Sequence, residues 1–310
     1  MHYSVPFLLN AQDNEHLNQY GYSVVPFLNK EACEKLIAYY YDAHPQTPDG
    51  VYSTSKANDQ TWALNISRFI TAIFAAPFEQ ISVNCEGLGC SFIAKKKATE
   101  KQKGVLIPHQ DWNLTDEKQF ASFNVWVPLV DTLPENGGIY VLPGSHQTFN
   151  GTFRGPTIPH QFVEVADLLW QAMIPLHIKA GHALFYDHRL IHGSPVNQTD
   201  QIRLAAVMGV KQKNAPFYCY HYDKINQQIE FFESNPNFYF SANHAQDLLN
   251  LPPKGTLSNA KLPVPFTRQY VANLYGLQIA HNPNNASNIT TQQKGWKTWL
   301  KFALSKMKSK

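Results

Sequence analysis

Ala121-Ser122-Phe123-Asn124-Val125-Trp126-Val127-Pro128-Leu129 is a short run rich in aromatic and branched residues, and such runs decide the fold class. Working outward, similar runs occupy residues 91–95, 138–142, 174–178, 182–186 and 202–211. Turn chemistry separates them: Pro134-Glu135-Asn136-Gly137, Pro143-Gly144-Ser145 and Lys179-Ala180-Gly181. Many short strands joined by Gly/Pro turns predict a sandwich or barrel. The expected fold is mainly β with flanking helices, a double-stranded β-helix (jelly roll, cupin-like) whose open mouth has room for a metal. The chain shows neither internal repeats nor a parallel βαβ rhythm.

Helices precede these strands. Asn29 reads as an N-cap, with Glu31 and Glu34 near the positive dipole end and Leu36, Ile37 and Tyr40 as the apolar stripe. A second helix is expected over about residues 62–75, ending before Pro77. Residues 94–108 form a basic connection, read either as a lid or as a solvated surface loop. Residues 212–260 read as irregular and rich in aromatics. Residues 1–275 are taken as one domain, 281–293 as a polar linker and 294–310 as an amphipathic helix. In that last segment Trp296, Trp299, Leu300, Ala303, Leu304 and Met307 share one face, and lysines supply positive charge. Two readings stand: contact with an anionic membrane surface, or docking on the domain or a second protomer.

Composition narrows the function. A net charge of +3 in 310 residues gives no argument for nucleic acid. Four cysteines are too few for a disulfide framework, so reduced thiols in a cytoplasmic protein are expected. Residues 1–10 lack the basic region of a signal peptide, and no stretch approaches 18 apolar residues, roughly what a membrane span requires.

The chemistry sits in His109-Gln110-Asp111, with His192 and Arg203 far downstream. Residues i and i+2 of a strand point to one face, so His109 and Asp111 can grip one ion from one side. His192 can complete a facial triad from a neighbouring strand. Two imidazoles and one carboxylate leave coordination positions open, as a non-haem Fe(II) oxygenase requires. Arg203 offers a planar fork for the carboxylate of an organic co-substrate, and Ser194 can reach the same side as His192 and donate a hydrogen bond. His188, four residues before His192, lacks a metalloprotease context, and His146 reads as a structural residue in a turn. Arg154, in a Phe-Arg-Gly-Pro loop, is a candidate to face an acidic substrate.

Further stretches strengthen the triad: residues 123–129 with Trp126, Asn136-Gly137-Gly138 through Pro143-Gly144-Ser145-His146, and Gly181 through Asp187 leading to His192-Gly193-Ser194. With the opening Tyr20-Gly21-Tyr22-Ser23-Val24-Val25-Pro26-Phe27-Leu28, residues 15–225 resemble the phytanoyl-CoA dioxygenase family of Fe(II)/2-oxoglutarate enzymes. The resemblance implies Fe(II), 2-oxoglutarate and O2, with hydroxylation of an unactivated C–H of a small or medium-sized molecule. It places Trp126 in the co-substrate pocket and Gln110 at its edge. Related halogenases carry a small residue where this chain has Asp111, which favours hydroxylation or another oxidation over halogenation. The competing readings are a non-catalytic jelly-roll binding module and a membrane-surface oxygenase acting on a lipid.

Overall fold

The computed structural model describes residues 3–44, 49–99, 104–240, 250, 254–257 and 265–279. The linker read at 281–293 and the helix read at 294–310 lie outside these residues. Thirteen strands carry the described fold: β1 (Tyr22–Pro26), β2 (Val51–Ser53), β3 (Cys85–Lys95), β4 (Leu106–His109), β5 (Ser122–Pro128), β6 (Tyr140–Val141), β7 (Ile174–Pro175), β8 (His182–Asp187), β9 (His192–Ser194), β10 (Arg203–Gln212), β11 (Tyr218–Asp223), β12 (Gln228–Glu233) and β13 (Gly255–Leu257). A six-stranded sheet has the order β1-β8-β5-β10-β3-β2, and a four-stranded sheet has the order β4-β9-β6-β7. Their strand pairs are antiparallel, and the two sheets form the jelly roll. β11, β12 and β13 make a separate three-stranded sheet.

Alternation along the large sheet divides two cores. Phe123, Val125 and Val127 of β5 point outward with Ala183 and Phe185 of β8, Leu204, Ala206 and Met208 of β10, and Phe92 and Ala94 of β3. Three helices cover this face: α1 (Ala11–Tyr20), α2 (Lys30–Ala43) and α3 (Gln60–Ile81). They bury Leu17, then Leu36 and Tyr40, then Ile66, Ile70, Phe74 and Phe78 against it. Each helix begins on a side-chain cap: Asn10 accepts from Asp13 N, Asn29 from Ala32 N and Asp59 from Trp62 N. The alternate residues Trp126, Leu184, Tyr186 and Ala205 face the space between the sheets, where Ile139 and Val141 meet them. A strand face that points into a jelly roll is where a site can form.

Three expectations are corrected. α3 does not stop before Pro77 but runs through it to Ile81. Proline removes one helical hydrogen bond, yet Phe74 and Phe78 lie four residues apart across it and both enter the outer core. Residues 212–260, read as irregular, contain the β11–β12 hairpin. Both faces of that hairpin are covered: Cys219 and Phe232 pack with Leu114, while Tyr220 and Ile229 pack with Ile158. Lastly, β6 and β7 are two-residue strands, shorter than the runs at 138–142 and 174–178. The four cysteines are free thiols, as expected. Among the described residues no helix is long and apolar enough to cross a membrane.

Candidate active site

His109 ends β4, and His192 opens β9 directly across from it. Their ring centroids are 4.3 Å apart. The close approach of these strands needs Gly193, because a Cβ there would lie 3.0 Å from Leu106 O and 2.9 Å from the Trp170 ring. Each imidazole is locked by the carbonyl two residues before it: His109 Nδ1 lies 2.7 Å from Ile107 O and His192 Nδ1 lies 3.0 Å from Leu190 O. A carbonyl only accepts, so each Nδ1 carries a proton and each Nε2 is turned toward the site. Both Nε2 atoms face Asp111, at 3.8 Å from Oδ1 for His109 and 3.7 Å from Oδ2 for His192. One donor atom from each of the three residues falls within 4.8 Å of the other two.

Asp111 follows β4, with its backbone N–H donating to His188 O at 2.9 Å. Its Oδ2 accepts from Asn124 Nδ2 at 2.7 Å and from Tyr186 OH at 3.1 Å. Burial raises the carboxyl pKa, but the facing His192, His188 and His109 and the Tyr186 hydroxyl outweigh it and hold the group at about 2. Burial, with the nearby His192, lowers His109 to about 4. Near neutral pH the set therefore presents a carboxylate and a neutral His109, the forms a divalent metal needs. Two imidazole nitrogens and one carboxylate oxygen fit Fe(II).

A buried cation lies on the large sheet. Arg203 opens β10, is 2% exposed, and its Nε and Nη1 have no hydrogen-bond partner among the described residues. Its guanidinium sits over the Trp126 ring at 5.2 Å. Burial alone lowers its pKa to about 10. An orphaned, buried cation is unfavourable unless an anion completes it. Ser194 is buried beside this wall, with its hydroxyl donating to Gly137 O at 2.7 Å. Gln110 spends its amide on the scaffold: Nε2 donates to Phe149 O and Arg189 O, and Oε1 accepts from Thr152.

A cleft lined by Gln110, Trp112, Ile158, Pro159, His160 and Phe162 opens beside the triad, with the His160 ring 6.2 Å from the His109 ring. Arg154 reaches this cleft, but not as a free cation. It pairs with buried Glu117 at 2.7 Å and donates through Nε to Asp111 O at 2.5 Å. The expectation that it faces an acidic substrate is thus corrected to a role in anchoring the Asp111 backbone. His188 stays outside the donor set, with Nδ1 3.0 Å from Ser122 Oγ. His146 is structural, 1% exposed and bound to Asn18 O at 3.2 Å. Sequence reading missed Asn124 and Tyr186. The available signal was parity: Asn124 precedes Trp126 by two, so both face inward.

Fold and site together define a jelly-roll protein in which two histidines and one carboxylate converge so that they could hold a metal ion. The phytanoyl-CoA dioxygenase (PhyH) profile matches residues 17–205, and the chain belongs to that family. A curated relative, phytanoyl-CoA dioxygenase domain-containing protein 1 of Danio rerio, is 29% identical over 116 residues, 33% of this chain and 39% of the relative. The match thus spans well under half of that relative's length. Among solved structures, the non-heme alpha-ketoglutarate-dependent carbocyclase SnoK of nogalamycin biosynthesis is 15% identical over 67% of this chain and 86% of its own, with a TM-score of 0.51. The epimerase SnoN, solved with Fe3+, alpha-ketoglutarate and nogalamycin RO, is 18% identical over 83% of this chain and 94% of its own, also with a TM-score of 0.51. Both are likenesses of fold.

Proposed function

We propose that this protein is an Fe(II)- and 2-oxoglutarate-dependent dioxygenase that hydroxylates an unactivated C–H of a small or medium-sized organic molecule. One observation carries the reading: three convergent candidate metal ligands share a jelly-roll interior with a buried arginine that has no counter-ion among the described residues. Family membership and the ligands named for SnoN support it. His109, Asp111 and His192 would hold the iron, and Arg203 the distal carboxylate of 2-oxoglutarate. Bound iron supplies the O2 chemistry, in which 2-oxoglutarate, O2 and R–H become succinate, CO2 and R–OH.

The protein's own residues bind and orient. The Ile107 and Leu190 carbonyls fix the two imidazole tautomers, and Asn124 and Tyr186 fix the carboxylate rotamer. Trp126 closes one side of Arg203 and keeps water from it. The cleft beside His109 would receive the primary substrate. Ring closure and epimerisation, the activities named for SnoK and SnoN, are the alternative outcomes of the same metal chemistry.

The test is an anaerobic titration of 2-oxoglutarate into Fe(II)-loaded protein. A saturable visible charge-transfer band is expected, absent in His192→Ala and strongly weakened in Arg203→Ala. No band in folded, iron-loaded protein overturns the reading and leaves a non-catalytic binding module. A product heavier than substrate by one oxygen atom would distinguish hydroxylation from cyclisation or epimerisation.

A further inference from the structure

Lys95 is a buried cation with no part in the reading above. It ends β3 at 0% exposure, paired across the strands with Arg203. Directly paired residues point to the same face, so two cations share one interior wall. The lysine stem runs past Gly137, whose φ is +76° and where a Cβ would lie 2.6 Å from Lys95 Cδ. The glycine turn Asn136-Gly137-Gly138 leaves the channel that the lysine fills.

The three ammonium protons are accounted for. They go to Ser194 Oγ, to Ser194 O at 3.2 Å and to Pro195 O at 2.7 Å. The Ser194 hydroxyl passes its own proton to Gly137 O. Every one of these acceptors is neutral. Lys95 is therefore satisfied in hydrogen bonds by neutral partners alone, and Arg203 Nε and Nη1 have no partner among the described residues. Burial and the Arg203 charge hold the ammonium pKa well below the usual lysine range. Two like charges in a desolvated wall oppose folding unless a ligand brings negative charge to them.

We propose that Lys95 is the second cation of the co-substrate pocket, and that Lys95 and Arg203 together select 2-oxo acids ending in an anionic group. The inference rests on the 2-oxoglutarate reading. Lys95 acts as a positioning residue: it fixes Ser194 and the turn after β9, and its charge adds to that of Arg203. A lysine that merely staples β9 to β3 would affect every 2-oxo acid alike.

The experiment compares two ligands on Fe(II)-loaded protein without O2, reading the chelate band: 2-oxoglutarate, and 2-oxopentanoate, which lacks the distal carboxylate. Wild type is expected to prefer 2-oxoglutarate strongly. Lys95→Met should weaken 2-oxoglutarate roughly tenfold or more and leave 2-oxopentanoate unchanged. Lys95→Arg, which keeps the charge, should keep most of the preference. Should Lys95→Met fail to fold, Lys95→Gln, neutral but still a donor, makes the same comparison. An unchanged preference in the neutral variant, or an equal loss for both acids, overturns the inference alone. A wild-type protein that binds neither acid overturns it together with the 2-oxoglutarate reading.

Discussion

Asp111 Oδ2 already accepts two hydrogen bonds, so the orientation of this carboxylate is set before any metal arrives. Pre-orientation of this kind strengthens metal binding, and losing an outer partner typically costs roughly 10–100-fold in affinity. Asn124→Ala should therefore weaken Mn(II) binding, read by calorimetry, by about tenfold or more with the fold intact. The histidines near this carboxylate also make the metal-free protein sensitive to acid. His188 is 2% exposed, and its pKa is lowered by burial to about 4 from an ordinary 6.5. The unfolded chain takes up that proton first, so the His188 contribution to stability falls as pH drops from 6.5 to about 4 and is constant below. His109, also lowered to about 4, adds to the same window. Denaturant midpoints of metal-free protein should decline across that range, at up to about 1.4 kcal/mol per pH unit for His188 alone. A His188→Gln variant should flatten the slope, and a wild-type profile flat from pH 6.5 to 4 would contradict the buried, neutral state of this ring.

At the scale of elements, burial overrides local rules. α3 keeps its last turn beyond Pro77 because Phe78 reaches the outer core at 8% exposure. Phe78→Ala should cost about 3 kcal/mol or slightly more, and hydrogen exchange should speed up in the turn ending at Ile81. Loss of stability without faster exchange there would mean that the turn holds by itself. The same contrast explains what was legible in the sequence. The convergence of His109, Asp111 and His192 could be read because ligand chemistry restricts residue type and spacing along a strand. Arg203 was expected to offer its fork to a carboxylate, and it lies buried with Nε and Nη1 unpartnered among the described residues. The longer strands were visible as aromatic and branched runs with turns between them. α1 was not, since its sequence is polar and buries only Leu17. The β11–β12 hairpin was not, since apolar residues on both faces erase the alternation. Asn124, Tyr186 and Lys95 stayed hidden because their roles depend on which strands become neighbours. Arg154 misled because its partner Glu117 is 37 residues away along the chain.

Across the whole molecule, the site is where the two sheets are tied together. His109 and His192 belong to the four-stranded sheet, while Asn124 and Tyr186, which hold Asp111, belong to the six-stranded one. Lys95 crosses the same gap to Ser194 and Pro195. A metal bound by the triad therefore closes a chain of contacts from β9 and β4 through Asp111 to β5 and β8. Its binding energy is then coupled to the docking of one sheet on the other. A ligand that binds only the folded state stabilises it by about 2.7 kcal/mol at a hundred times its Kd. Mn(II), which keeps its oxidation state in air, should raise the thermal midpoint of wild type in a saturable way. It should also slow hydrogen exchange in β4 and β9. His192→Ala and Asp111→Ala should show neither effect. A midpoint shift that survives both substitutions would place the ion elsewhere, and a shift without protection of β4 and β9 would separate metal binding from the closure of the sheets.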